Sequence, residues 1–260
     1  MKKKINTQKL NAFIAIASHK RPEILQKKTL SLLKKHNIDM KKVFVFASPQ
    51  SMDEYKPIAK KWGFNLAKGG KILEARNNII QFFKNGQNII EMDDDIDDIE
   101  VTIKGKKNKS VDNLIKLFNE SFFIIQDGGL FGFNANTNNF FAGGVDKIGF
   151  YSIINSTLGY VNDKRIKLTV PEKEDFERCI QYYKLGFPIL KRTGYGIKTR
   201  YWKNKGGIQE CYDFEKRKKV QKFSAEQIMK KYPWAARKHV RKNGLVDLRF
   251  KKDPLGHYKN

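Results

Sequence analysis

Cysteine is nearly absent from this 260-residue chain: Cys179 and Cys211 are too few for a disulfide framework. No Cys/His pairing suggests zinc, and none of His19, His36, His239 and His257 has metal-ligand spacing. Long apolar runs are missing too. The basic start Met1-Lys2-Lys3-Lys4 precedes only a short apolar run that closes in His19-Lys20-Arg21. Neither a signal peptide nor a bilayer span is expected, and the chain reads as soluble and cytoplasmic, with no membrane partner. There is no Gly-x-Gly-x-x-Gly and no Walker loop, which argues against a dinucleotide site and against ATP hydrolysis of the usual kind. Acid is scarce: 27 Asp and Glu face 52 Lys and Arg, a formal charge of +25 spread through the chain. Such a field favours polyanions, nucleic acid first, then an anionic membrane surface or acidic glycans. A coding bias toward Lys and Asn would leave the same composition without any partner.

A hydrophobic share of 40 % with 19 Phe and 10 Tyr suffices for one large domain. Phe13 to Ser18 and Val43 to Ala47 are short continuous apolar runs, as expected of strands buried on both faces. A third strand, Asn88 to Met92, runs directly into Asp93-Asp94-Asp95. Helical spacing between them, ending near Leu33, Trp62 and Phe83, completes a strand–helix alternation that predicts a parallel α/β sheet. Farther on, a helix is expected over Val111 to Glu120, strands over Phe122 to Ile125, Leu130 to Phe133 and Ile148 to Tyr151, and a clear helix over Lys173 to Leu185. From Glu215 the pattern is basic and helical, with Ser224-Ala225-Glu226-Gln227 a candidate capping box. No internal repeat is visible. The expected organisation is a domain over 1–212, with a nucleotide-binding half to about 100 and an acceptor half beyond it, then a basic helical extension over 213–260.

The aspartates carry the chemistry. They end a buried strand, and in open α/β sheets the carboxyl edge binds ligands. Alternation along an extended segment would point Asp93 and Asp95 the same way, to share a cation, with Asp94 elsewhere. Hard carboxylate oxygens suit Mg²⁺ or Mn²⁺, which neutralises a diphosphate and assists its departure. A solvated acidic turn is the plainer alternative, given Asp97, Asp98 and Glu100 just beyond. Arg76 and Asn77, on the preceding helix, Ser18 and Arg21, after the first strand, and Asp93 and Asp94 of the acidic cluster are candidate contacts to a nucleotide and its phosphates. Glu174 and Asp175 open the later helix, where acids are favoured electrostatically in any case. Either can serve as the base that takes a proton from an acceptor hydroxyl.

In this order the elements resemble a GT-A glycosyltransferase over roughly Phe13 to Gly186. The resemblance implies a Rossmann-like α/β fold with a mixed, mainly parallel sheet flanked by helices. It implies Asp93 and Asp95 as the metal-binding Asp-x-Asp, Asp175 as the base and Arg76 as a donor-phosphate contact. The opening Ile16-Ala17-Ser18-His19-Lys20-Arg21-Pro22, the Asp-Asp-Asp strand and the basic C-terminus resemble more narrowly the TET/JBP-associated glycosyltransferases of phages. That implies a UDP-sugar donor and hydroxymethylated pyrimidines in DNA, such as 5-hydroxymethylcytosine, as acceptor. The segment Asn134 to Gly144 has no counterpart in that group.

For DNA the candidate contacts are Lys218, Lys219, Arg237 and Lys238, with Trp234 either stacking on a base or docking the segment onto the core. Tyr201 to Gly207 reads as a loop able to close over donor and acceptor. No obligate protein partner is indicated. Three other readings stay open: a polysaccharide, lipid-linked or protein acceptor for the same donor half; a metal-dependent nuclease or nucleotidyltransferase, which wants more carboxylates around two metals; and a non-catalytic DNA-binding protein, which leaves the acidic strand end without a purpose.

Overall fold

The computed structural model describes residues 5–141, 143–199, 213–241 and 243–258. Strands β1 (Phe13–Ser18), β2 (Val43–Ala47), β3 (Asn65–Lys68) and β4 (Asn88–Asp93) lie in the order β3-β2-β1-β4, all parallel. The helices between them are α1 (Pro22–Leu25), α2 (Ser31–Lys35), α3 (Met52–Trp62) and α4 (Ile72–Phe82), with a π-wound stretch, Gln26–Leu30, joining the first two.

Beyond β4 the sheet is mixed. The strands are β5 (Asp98–Val101), β6 (Lys109–Ser110), β7 (Leu130–Asn134), β8 (Lys147–Ile148), β9 (Thr157–Val161) and β10 (Ile189–Lys198), with helices α5 (Leu114–Ile125) and α6 (Glu174–Lys184). The order continues β4-β9-β7-β10-β5-β6, with β8 on β10; only β7–β10 is parallel in this half. The result is a mixed α/β fold with a central sheet flanked by helices, Rossmann-like in its first half.

Burial explains the two sides. Ile14, Ile16, Val45, Ile90 and Met92 face a cluster covered by α2, α3 and α5, while Ala15, Phe46 and Ile89 face another covered by α4 and α6. Both faces of the central strands are therefore apolar, which is why they read as continuous runs rather than alternating ones. Within this sheet the chain steps from β1 outward through β2 and β3, then returns to the other side of β1 as β4. The carboxyl ends of β1 and β4 thus flank the point where strand order reverses.

Several expectations are corrected. Phe122 to Ile125 is not a strand but the end of α5, because Leu114, Leu117, Phe118, Phe122 and Ile125 keep one helical stripe in the core. Ile148 to Tyr151 contributes only the end of the two-residue β8. Residues 213–260 are not wholly helical. Helix α7 (Phe214–Lys231) is followed by an antiparallel hairpin, β11 (Ala236–Val240) and β12 (Val246–Phe250). The helix is capped by Asp213, whose side chain accepts from Lys216 N at 2.7 Å. Ser224 is therefore mid-helix, not a cap, and its Oγ accepts from Glu172 N at 3.3 Å. This segment packs tightly on the domain: Phe250 stacks on Phe150 at 4.3 Å, and Ala225, Ile228, Val246 and Leu248 join the core. No helix of the described residues is long and apolar enough to cross a membrane.

Candidate active site at the carboxyl edge of the sheet

Asp93 is the last residue of β4, two positions beyond Glu91, so both side chains point to the α4–α6 side. Arg76 of α4, 2 % exposed, spans them: Nη2 donates to Asp93 Oδ1 at 2.7 Å, and Nη1 lies 3.0 Å from Glu91 Oε1 as an ion pair. Arg178 of α6 grips Glu91 from the other side at 2.9 and 3.1 Å, and Tyr160 of β9 donates to Glu91 at 2.9 Å. Burial would lift the Glu91 carboxyl, yet Arg178 and Arg76 hold it below the usual carboxylate range. A charge inside an apolar strand signals such a partner; the sequence does not say which cations supply it.

The strand ends at Asp93, so the expected alternation does not carry through the cluster. Asp94 and Asp95 lie in a turn pinned by Thr29, which donates to Asp93 O at 2.8 Å and accepts from Ile96 N at 3.0 Å. Both face Arg21, whose Nη1 lies 3.3 Å from Asp94 and 3.4 Å from Asp95. Asp94 also accepts from Ser18 Oγ at 2.6 Å, which ties the ends of β1 and β4 together across the switch point. Burial, partly offset by Arg21, pushes the Asp94 carboxyl up to about 7. Asp93 is raised as well, by burial against the pull of Arg76, although its side chain keeps 35 % exposure. Asp95 accepts from Thr199 Oγ1 at 3.1 Å.

These bonds change the expected roles. Ser18 is buried, bonded to Asp94 and to Tyr55 Oη at 2.7 Å, so it positions the cluster instead of meeting a nucleotide. Arg76 is no surface clamp; it orients Asp93. Asn77 exchanges two hydrogen bonds with the backbone of Leu168 and fixes that loop. Asp94 likewise is an internal brace. Tyr55, Thr29, Tyr160 and Arg178 escaped the sequence reading, because their roles are set by partners 34 or more residues away.

Glu174 and Asp175 reach the same edge. Asp93 N donates to Ser156 O at 2.9 Å, and the adjacent Asn155 donates to Glu174 Oε1 at 3.4 Å. Asp175 accepts from Phe176 N at 2.9 Å. Burial, reinforced at Glu174 by the Asp175 charge, lifts both carboxyls above their usual range, with Arg76 pulling the other way. Asn155 Oδ1 is buried without a hydrogen-bond partner among the described residues, a spare acceptor beside this pair.

The raised Asp175 carboxyl fixes a sign. Where the folded group binds its proton more tightly than the unfolded one, its stabilising contribution is complete below the ordinary carboxylate range. It is lost as pH rises through the folded value. Asp175→Asn should therefore be more stable than the parent at pH 8, by roughly 1–3 kcal/mol, with the gap closing toward pH 4. Urea unfolding at the two pH values checks this; equal gaps would show that Asp175 is not held in a hostile environment.

The expected DNA contacts divide. Lys219 and Arg237 are exposed, and Lys218 is half-buried across the hairpin turn at Gly244. Lys238 leans to Glu226 at 3.8 Å. Trp234 is not a free stacking platform: it packs near Tyr183 and Phe150, at 6.0 and 6.3 Å between rings, and docks the C-terminal segment. The loop expected to close, Tyr201 to Gly207, and Cys211 lie outside the described residues.

Among the described residues no three His, Cys, Asp or Glu side chains are gathered into a metal cage. The donor set of Asp93 and Asp95, hard carboxylate oxygens at the strand end, fits the alternative in which two carboxylates and substrate phosphates share Mg²⁺ or Mn²⁺. No protein-family model matches the chain, and no curated protein matches it significantly.

Proposed function

We propose that the protein is a metal-dependent glycosyltransferase of the GT-A type. It moves a sugar from a UDP-sugar to the hydroxymethyl group of a modified pyrimidine, 5-hydroxymethylcytosine, in DNA. One observation carries the reading: carboxylates of opposite use share one sheet edge. Asp93 to Asp95 stand braced by arginines at the β1–β4 switch point, and Glu174 and Asp175 lie beside them with raised affinity for a proton.

Bound metal, held by Asp93 and Asp95, would supply Lewis acidity to the diphosphate. The chain's own residues do the rest. Arg76 holds Asp93 in one orientation, and Ser18 with Arg21 holds the turn. The acceptor hydroxyl oxygen bonds to the anomeric carbon as the bond from that carbon to the diphosphate breaks. The hydroxyl proton passes to the Glu174–Asp175 pair, whose raised pKa suits a base working near neutrality. The acceptor assignment draws on the charge of +25 and the basic C-terminal segment.

The donor half is tested alone by incubating the protein with a panel of UDP-sugars and Mn²⁺ and following UDP release. Slow release with one donor, stopped by chelation, is the expected result. Absence of both release and UDP binding, with plasmid nicking under the same conditions, would replace this reading by the nuclease one.

A further inference from the structure

Alternation along the C-terminal hairpin sorts its side chains onto two faces. Ala236, Val246, Leu248 and Phe250 pack on the core. The intervening positions, Arg237, His239, Asp247 and Arg249, share the other face. The register sets Arg237 directly opposite Arg249, and both are exposed. Like charges in that arrangement repel. Arg249 donates to His239 Nε2 at 3.1 Å, and no carboxylate among the described residues pairs with either guanidinium. The nearest acid on this face, Asp247, is taken by Arg241 at 2.9 Å and by Lys173 at 3.0 Å. Lys173 immediately precedes Glu174. The basic face is therefore tied, through Asp247, to the first turn of the helix that carries the candidate base.

We infer that the outer face of the β11–β12 hairpin grips the phosphate backbone of duplex nucleic acid through Arg237 and Arg249. The inference rests on the acceptor proposed above and names the surface that receives it. Planar guanidinium forks match phosphate oxygens, and two phosphates relieve the repulsion the fold has built in. A two-stranded ribbon is also narrow enough to lie along or within a major groove. The surrounding segment, 213–260, has fifteen Lys and Arg against five Asp and Glu, so approach is favoured from every side of the hairpin.

The test uses the full chain and a short fluorescent DNA duplex, without donor sugar, titrated at salt from about 50 to about 200 mM. Arg237→Ala with Arg249→Ala is compared with a charge-matched pair on α3, Lys60→Ala with Lys61→Ala. The hairpin pair should weaken binding about tenfold at the higher salt and lower the log–log salt slope by about 1.8, two phosphates' worth. The α3 pair should stay within about twofold of the parent. Thermal unfolding of the hairpin variant should match or exceed the parent, since a repulsion is removed. Parental affinity and slope in the hairpin variant, equal loss in both variants, or a parent that binds heparin or anionic vesicles but no duplex would each overturn the inference. Duplex binding as expected with no sugar transfer from any donor would instead remove the glycosyltransferase reading and leave this surface standing.

Discussion

Glu91→Ala is expected to destabilise the fold by about 3–5 kcal/mol, the cost of removing one partner from a buried ion-pair network. Glu91 is fully buried and answers two guanidiniums, Arg76 and Arg178, neither of them more than 2 % exposed. Without it both cations stay inside with too little negative charge; Asp93 remains ion-paired to Arg76, and Glu174 acts on the two only at longer range. Tyr160 would lose its acceptor as well, a further penalty for an unsatisfied buried hydroxyl. In a chain of formal charge +25 the remaining field offers no compensation. Urea unfolding with an unchanged m-value is the check. A loss under about 1 kcal/mol would mean the network is not the brace that sets α4 and α6 against β4.

Asp95→Asn and Asp93→Asn should each lower sugar transfer at least about a hundredfold, since each removes one of the two carboxylates proposed to hold the metal. Their stability cost should be small beside that of Glu91→Ala, because Asp93 keeps an open edge and Asp95 sits in a turn. The Asp94→Asn change is different in kind. Asp94 closes β1 onto β4 through Ser18 and Arg21, yet burial raises its carboxyl to about 7. Asp94→Asn therefore loses the Arg21 contact while relieving the cost of a buried charge above that pH, and is read first in unfolding against pH and only then in rate. Comparing the three variants separates the carboxylates proposed to face substrate from the one that holds the turn.

Much of the frame is legible in the residues because burial writes itself into composition. β1, β2 and β4 are apolar on both faces, and α6 has a sharp apolar stripe. Position of the acidic cluster at a strand's end follows from the same pattern. What is not legible depends on distant partners. Nothing local in Ser18 says that it serves Asp94, and nothing in Asn77 says that it serves Leu168. β9 and β10 carry glycines, threonines and tyrosines that blur strand periodicity; Gly159, for example, leaves room for the ring of Phe131 on the paired strand. The hairpin was hidden for another reason. Its outward Arg237 and Arg249 and its lysines extend the basic run of α7, so charge masked an alternation that only the buried Ala236, Val246 and Leu248 betray.

Intact-mass analysis of oligonucleotides containing 5-hydroxymethylcytosine, after incubation with the protein, Mn²⁺ and a panel of UDP-sugars, tests the central claim most directly. A mass gain equal to one transferred sugar is the predicted result, absent with unmodified cytosine and lost in Asp95→Asn. No gain from any donor, or a gain that Asp95→Asn leaves intact, would contradict the assignment of this sheet edge as the site of transfer to DNA.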